Sequence, residues 1–508
     1  MQIFGITLNR YSVPIIYLAC AIVGFLLIRE SVHMFQHPLT TRAISVILGI
    51  GFIALSLPTI YTSKIVIPRK AITLLTIWLA WTLLSTLLGD QPFPAMVRWF
   101  EILTSVLMGL CLYFIISKQP ELITLILKAI VAAVILCLFA FLVYWNLLAN
   151  PVKHDWVSDI PFFVNIRHFG QLIAVAVPLG YFLLEKYSDE GKKAYWIIGY
   201  LILSWALVFW LGGRGTLLAV TITTIFHAFI NKQHWKWLIL APIAGLILSL
   251  FFIVDNPSLN LFRHFGEQGV SLNTMSSSRL EIFIQSILHW WNHAPLMGIG
   301  ADGFFYIFPA IGTESMAHPH SSIIQLLLTF GPIGLLIPSY FFYALSKQVF
   351  FAQSDKRTQL FYLIFLSTMI LSLFDGILYH AYGLFISSII AGVSIALAWP
   401  QDGKSAYNLS DKTIKHYKQR GADQWGLVAL LTCILFTSAY YSVFIYQLHH
   451  SKYGVKTEQW INWNARYPLY FSETWNYERY KTEDIELLKQ RYIERINSSS
   501  QQQKQEQQ

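Results

Sequence analysis

Apolar runs separated by short polar stretches recur from near residue 12 to residue 446. A bilayer core takes about 20 mostly apolar residues per helical crossing. Thirteen segments fit, near 12–28, 44–62, 71–89, 100–117, 121–146, 168–185, 195–212, 215–230, 235–255, 322–346, 358–374, 381–399 and 426–446. Gly, Ser and Pro inside the second, tenth and thirteenth are tolerated in membrane helices. The pattern predicts an all-α polytopic integral membrane protein with about 12–13 transmembrane helices. The first run lacks a basic n-region and a small-residue cleavage site, so it reads as a span and not a signal peptide. The expected organisation is a transmembrane domain over 1–446, whose longest connection is a loop at 256–321. A helical segment over 447–495 and a Gln-rich, low-complexity end over 496–508 follow it.

Composition agrees with the pattern. Of 508 residues, 55% are hydrophobic and 12% charged, about half the charged share of a soluble domain. Cys20, Cys111, Cys137 and Cys433 all lie in apolar runs, which excludes a disulfide framework or a loop-borne zinc site.

Charge sets the orientation. With the N-terminus inside, the inner loops carry seventeen basic residues, fourteen of them lysine, and the outer loops eight, seven of them arginine. The positive-inside rule therefore favours a cytoplasmic N-terminus, and thirteen spans then put the tail outside. Outer arginines run against that rule. For Arg29 and Arg42 the ordinary explanation is snorkelling to headgroups. Others sit in richer surroundings.

Five outward stretches concentrate candidate chemistry. "GGRG" holds Arg214 between two spans with almost no loop. "SSSRLEIFIQSILHWWNHAPLMGIGADGF" begins a short interfacial or re-entrant helix at Arg279, and its glycines permit a tight backbone path. "NIRHFGQ" supplies Asn165, Arg167, His168 and Gln171. "FDGILYHAYG" supplies Asp375, Tyr379 and His380, where the acid has helix capping as its plain explanation. "HPHSSIIQLLLTFGPIGLL" adds His318 and His320, held in near-fixed relation by Pro319.

In that order, "GGRG", "SSRLEIF…HAPLMGIGADGF" and "HPHSSIIQLLLTFGPIGLL" resemble the bacterial O-antigen ligase, O-antigen polymerase and protein O-oligosaccharyltransferase superfamily over about residues 160–400. The resemblance implies a type C glycosyltransferase membrane fold in the bacterial inner membrane. It implies transfer of a glycan from undecaprenyl pyrophosphate to a hydroxyl acceptor at the periplasmic face. The extra span and outward tail are similar to the protein O-oligosaccharyltransferases, with a pilin-like acceptor; a lipid A–core or glycan acceptor is the alternative.

The residue chemistry suits such a reaction. Cleaving a sugar–pyrophosphate bond develops negative charge, which fixed cations at a dry interface stabilise. No outward D-x-D pair offers a metal site, so Arg214 and Arg279, then Arg167, are expected to act without a metal or other cofactor. Histidine is a base near neutral pH. His320, the position matching the family histidine, is expected to activate the acceptor or bind phosphate. His318 would orient it, contact the pyrophosphate or face water, and Asp375 would orient His320 or the acceptor. Asn165, His168, Tyr379 and His380 are expected at the substrates. A zinc or copper site joining His318 and His320 to His380 or His168 lacks a completing ligand. Glu101 and Lys128 within apolar segments keep a lipid-linked-sugar transporter in view, though no internal repeat accompanies them.

Overall fold

The computed structural model describes residues 2–3, 6–7, 9–31, 38–62, 68–89, 92–142, 162–163, 166–191, 194–250, 279–304, 318–351 and 354–399. Twelve of the thirteen expected spans coincide with helices. They are α1 (Ser12–Ser31), α2 (Pro38–Thr62), α3 (Arg69–Leu88), α4 (Pro92–Lys118), α5 (Ile123–Ala140), α6 (Ile166–Asp189), α7 (Tyr195–Leu211), α8 (Arg214–Ile230), α9 (Trp235–Ser249), α11 (Ser322–Phe351), α12 (Lys356–Ser372) and α13 (Ala381–Ala398). The short α10 (Arg279–His293) stands where an interfacial helix was expected. The strands among the described residues are two short antiparallel ones, Gln2–Ile3 against Ile6–Thr7. The expected span at 426–446, both tail segments and Asn165 lie outside the described residues.

Seven of the described helices are long and apolar enough to cross a membrane, and α1, α7, α8 and α9 are shorter apolar helices. Large apolar side chains such as Leu88, Phe139, Phe229 and Leu250 are exposed, as a lipid-facing surface requires. The helix α6 lies at the centre, with 94% of its span buried, packed against α7, α8 and α12. The helices α3 and α11 pack on each other at the periphery and expose most of their spans.

Two helices begin earlier than their apolar runs. Starting at Pro38 and Pro92, α2 and α4 carry Arg42 and Arg98 in their second turns, and Glu101 follows about one turn after Arg98. Proline is suited to the first helical position because its missing N–H would have no intrahelical partner there.

One break organises the site-bearing end of the bundle. In α11, Gly331 is left-handed (φ 66°, ψ −167°) and Pro332 follows it. Proline has no N–H to offer the carbonyl of Leu328, and an unpaired carbonyl at membrane depth costs several kcal/mol. The loop after α10 satisfies the break. Ile299 N donates to Leu328 O and Gly300 N to Thr329 O, both at 2.9 Å. From α3, Ser85 Oγ donates to Thr329 O (2.8 Å), Trp81 Nε1 to Phe330 O (2.8 Å) and Trp78 Nε1 to Gly334 O (3.0 Å). The contact leaves no room for side chains: a Cβ on Gly331 would fall 1.9 Å from Leu296 O, and one on Gly298 2.4 Å from the Thr329 carbonyl carbon. The glycines read in the sequence as a tight backbone path serve this docking, which fixes Asp302 just beyond it.

Candidate functional site

Helix starts and ends from α2, α4, α6, α8, α10, α11, α12 and α13 converge at that end. Gly212 closes α7 in the left-handed region (φ 61°), Gly213 is extended, and α8 starts at once with Arg214. Thr216 Oγ1 donates to Gly170 O (3.4 Å), tying α8 to the first turns of α6. A Cβ on Gly215 would sit 3.2 Å from Leu371 and 3.4 Å from Phe374. The arginine is thus delivered beside the end of α12, where Nη1 of Arg279 donates to Phe374 O.

Arg167, Arg214 and Arg279 act on one another. Burial, then Arg167, and also Arg214, push the Arg279 guanidinium down to about 10, while Asp375 opposes them. Its Nε is enclosed and makes no hydrogen bond. Asp375 is buried, and burial raises its carboxyl above the ordinary value in spite of Arg279 and Arg167 nearby. Its side chain accepts a hydrogen bond from Gly376 N–H at 2.7 Å. This bond, and none to His320, is what stands beside the expectation that Asp375 orients His320 or the acceptor; its capping role fails, because the N-cap of α13 is His380.

Beside the arginines lie four histidines. Ring centroids are 3.8 Å apart for His168 and His380, 4.3 Å for His318 and His320, and 4.9 Å for His318 and His380. Burial first, then His320 and His168, and then Arg167 and Arg279, hold His318 well below 6.5. For His320 burial leads again, followed by Arg167, Arg279, His380 and His168. Both rings are therefore neutral near pH 7. His320 N donates to His318 Nδ1 (3.1 Å), which fixes that nitrogen as an acceptor. His320 itself is left-handed (φ 54°), a strain of about 1–3 kcal/mol that persists only where surroundings enforce it. Its Nδ1 is enclosed and makes no hydrogen bond. Depending on tautomer, that atom holds in reserve a lone pair for a hydroxyl proton or an N–H for a phosphate oxygen. Among the described residues no group of three or more His, Cys, Asp or Glu has the geometry to hold a metal ion.

Residues 199–339 match the family model described as O-antigen ligase. No curated protein matches the chain. The match supports the O-antigen ligase and polymerase superfamily, and with it glycosyl transfer from a lipid-linked glycan to an acceptor. It runs from α7 to the middle of α11 and includes Arg214, Arg279, Asp302, His318 and His320. Arg167, His168, Asp375, Tyr379 and His380 lie outside it, and the fold brings them to the same place.

Four residues escaped the sequence reading in their true role. Arg42 is 6% exposed and its Nη1 lies 2.8 Å from Asp302 Oδ2, so it is a buried ion-pair partner and does not snorkel. Arg98 pairs with Glu101, which accounts for that in-span acid without transport. Burial alone would raise the Asp302 carboxyl, but Arg42 and Arg98 beside it carry it below its ordinary value. The available signal was two arginines and an acid at the starts of apolar runs, where an unpaired charge is costly.

Proposed function

We propose that this protein transfers an oligosaccharide en bloc from undecaprenyl pyrophosphate to a serine or threonine hydroxyl of a pilin-like protein, at the periplasmic face of the bacterial inner membrane. The observation that carries the reading is the convergence of Arg167, Arg214 and Arg279 beside a neutral His320 whose Nδ1 has no partner. Arg167 and Arg214 both act on Arg279, and burial disfavours the charged form of the carboxylate that opposes them, Asp375, an arrangement suited to a pyrophosphate.

In this reading the acceptor oxygen attacks the anomeric carbon as His320 takes its proton. The bond from that carbon to the pyrophosphate oxygen breaks with its electrons on oxygen, and the arginines stabilise the charge that develops there. No step needs a metal ion. Donor binding also prepares the base. The pyrophosphate offsets Arg167 and Arg279, two of the influences that depress His320, so the imidazole becomes a better proton acceptor once the donor is in place.

The test supplies the purified full chain with an undecaprenyl-pyrophosphate oligosaccharide, EDTA, and in parallel a pilin-like protein and a lipid A–core acceptor. Glycan on the protein alone is the expected result. Glycan on the lipid alone would make the enzyme an O-antigen ligase, the reading that the family description favours. No product on either acceptor from an intact donor would overturn en bloc transfer to both.

A further inference from the structure

Four charged side chains with no place in the transfer scheme lie next to the histidines, and all are buried: Arg42, Arg98, Glu101 and Asp302 are 6%, 5%, 2% and 3% exposed. Two cations meet two anions. Arg42 pairs closely with Asp302 and Arg98 with Glu101, and the cross pairs stand at 3.8 and 3.9 Å. A buried ion pair needs good geometry and further hydrogen bonds to offset its desolvation, and here those further contacts converge on one residue. The guanidinium carbons of Arg42 and Arg98 lie 4.6 and 4.8 Å from the Tyr379 ring centroid, within cation–π range. The Tyr379 hydroxyl bonds to Asp302. Arg98 Nη2 donates to Leu378 O at 3.1 Å, pinning the backbone just before the tyrosine.

Tyr379 in turn bears on His318, ring to ring at 4.6 Å and 34°. The imidazole also lies against Gly376, where a Cβ would fall 2.2 Å from its Cε1. Held there, His318 presents Nδ1 to the His320 N–H, the bond that accompanies the left-handed His320 backbone.

We infer that Arg42, Arg98, Glu101 and Asp302 form a charge-balanced clamp on Tyr379, and that Tyr379 is a positioning residue that sets His318 and, through it, His320. This rests on reading His320 as the group that faces the substrates. Tyr379 was expected at the substrates; its ring and hydroxyl are instead engaged by the clamp and by His318. The clamp being net neutral matters as much as its rigidity, because a surplus positive charge there would add to the depression of the neighbouring imidazoles.

The test uses the full chain in detergent with three variants: Tyr379→Phe, Asp302→Asn, and the double variant Asp302→Asn with Arg42→Gln, which restores net zero. Tyr379→Phe keeps the ring and both guanidinium contacts and loses only the hydroxyl bond. Its kcat should fall about tenfold with donor KM within about twofold, the loss of one hydrogen bond to a charged group. Asp302→Asn should lower kcat about 10²-fold, as misplacement of a catalytic group does, and the double variant should regain at least about tenfold of that loss. A wild-type kcat in Tyr379→Phe, or a loss carried by donor KM instead, would overturn the inference. So would a double variant no better than the single one.

A second readout needs no substrate. In protein carrying 13C-labelled histidine, Tyr379→Phe should move the ring resonances of both His318 and His320. An unmoved His320 resonance would overturn the positioning role. A wild type that transfers no glycan would remove the functional reading instead, and the spectrum would still decide the coupling.

Discussion

Two groups of arginines stand side by side at one end of the bundle, and their surroundings differ in one respect. Arg42 and Arg98 are matched, charge for charge, by Asp302 and Glu101. At Arg279, Arg167 and Arg214 depress the charged form, and the carboxylate that opposes them, Asp375, is itself pushed by burial towards its neutral form. The first group is complete without a ligand and stiffens the protein. The second sets Arg167 and Arg214 to act on Arg279, whose Nε makes no hydrogen bond, and an anion beside them would relieve that repulsion. Residue type is the same in both; the neighbouring carboxylates separate scaffold from site.

Stability and rate should therefore respond in opposite ways. Arg42→Ala strands Asp302 in a buried site and should cost about 3–5 kcal/mol, read as thermal unfolding in detergent. Arg279→Ala should leave that unfolding near wild type and lower transfer about 10²–10³-fold, the cost of removing one group that stabilises developing charge. Equal stability losses in the two variants would erase the distinction. Loss of transfer at normal expression is likewise expected of His320→Ala, as removal of a positioned base costs about 10²–10⁴-fold.

Gly376→Ala sharpens the comparison from the histidine side. Its Cβ would overlap the His318 ring, so transfer should drop about 10²-fold while donor binding by the arginine group persists. A parallel loss of donor binding would show that the two halves of the site are one unit.

The pH effects are the smallest. His318, His320 and His380 are held below 6.5 when folded, chiefly by burial. Above that value they are neutral in both states and add no pH dependence. As pH falls below about 6.5 the unfolded chain binds protons that the folded chain refuses, so stability is lost on the acid side. Thermal unfolding followed from neutral to mildly acidic pH should show that fall. Because the donor offsets Arg167 and Arg279, the acid limb of kcat should lie at higher pH than that of kcat/KM, which reports the free enzyme. Coincident limbs would mean that the anion does not reach the field of His320.

Much of the fold was legible because a membrane helix announces itself by length and apolarity alone. Every described span was anticipated, and so was the short helix at Arg279. The starts of α2 and α4 were misjudged because hydropathy treats a charge as the end of a run, whereas a charge with a buried partner continues the helix. The site was legible in part for a similar reason. Arg214, Arg279 and His320 announce themselves as cations and a base beside glycines and prolines at the mouths of spans. Asp302 lay within a stretch already singled out for its glycines, yet nothing local gave it Arg42 as partner, 260 residues away along the chain.

The sequence by itself determined the membrane class, the crossings and the residue types available at one end of the bundle, because these follow from local hydropathy and side-chain chemistry. Only the tertiary structure decided that Asp302 and Glu101 face Arg42 and Arg98, that Asp375 bonds to Gly376, and that His320 is fixed through His318. Those outcomes depend on distances between helix ends far apart in the chain, and a carboxylate a few ångströms away changes what a guanidinium is for.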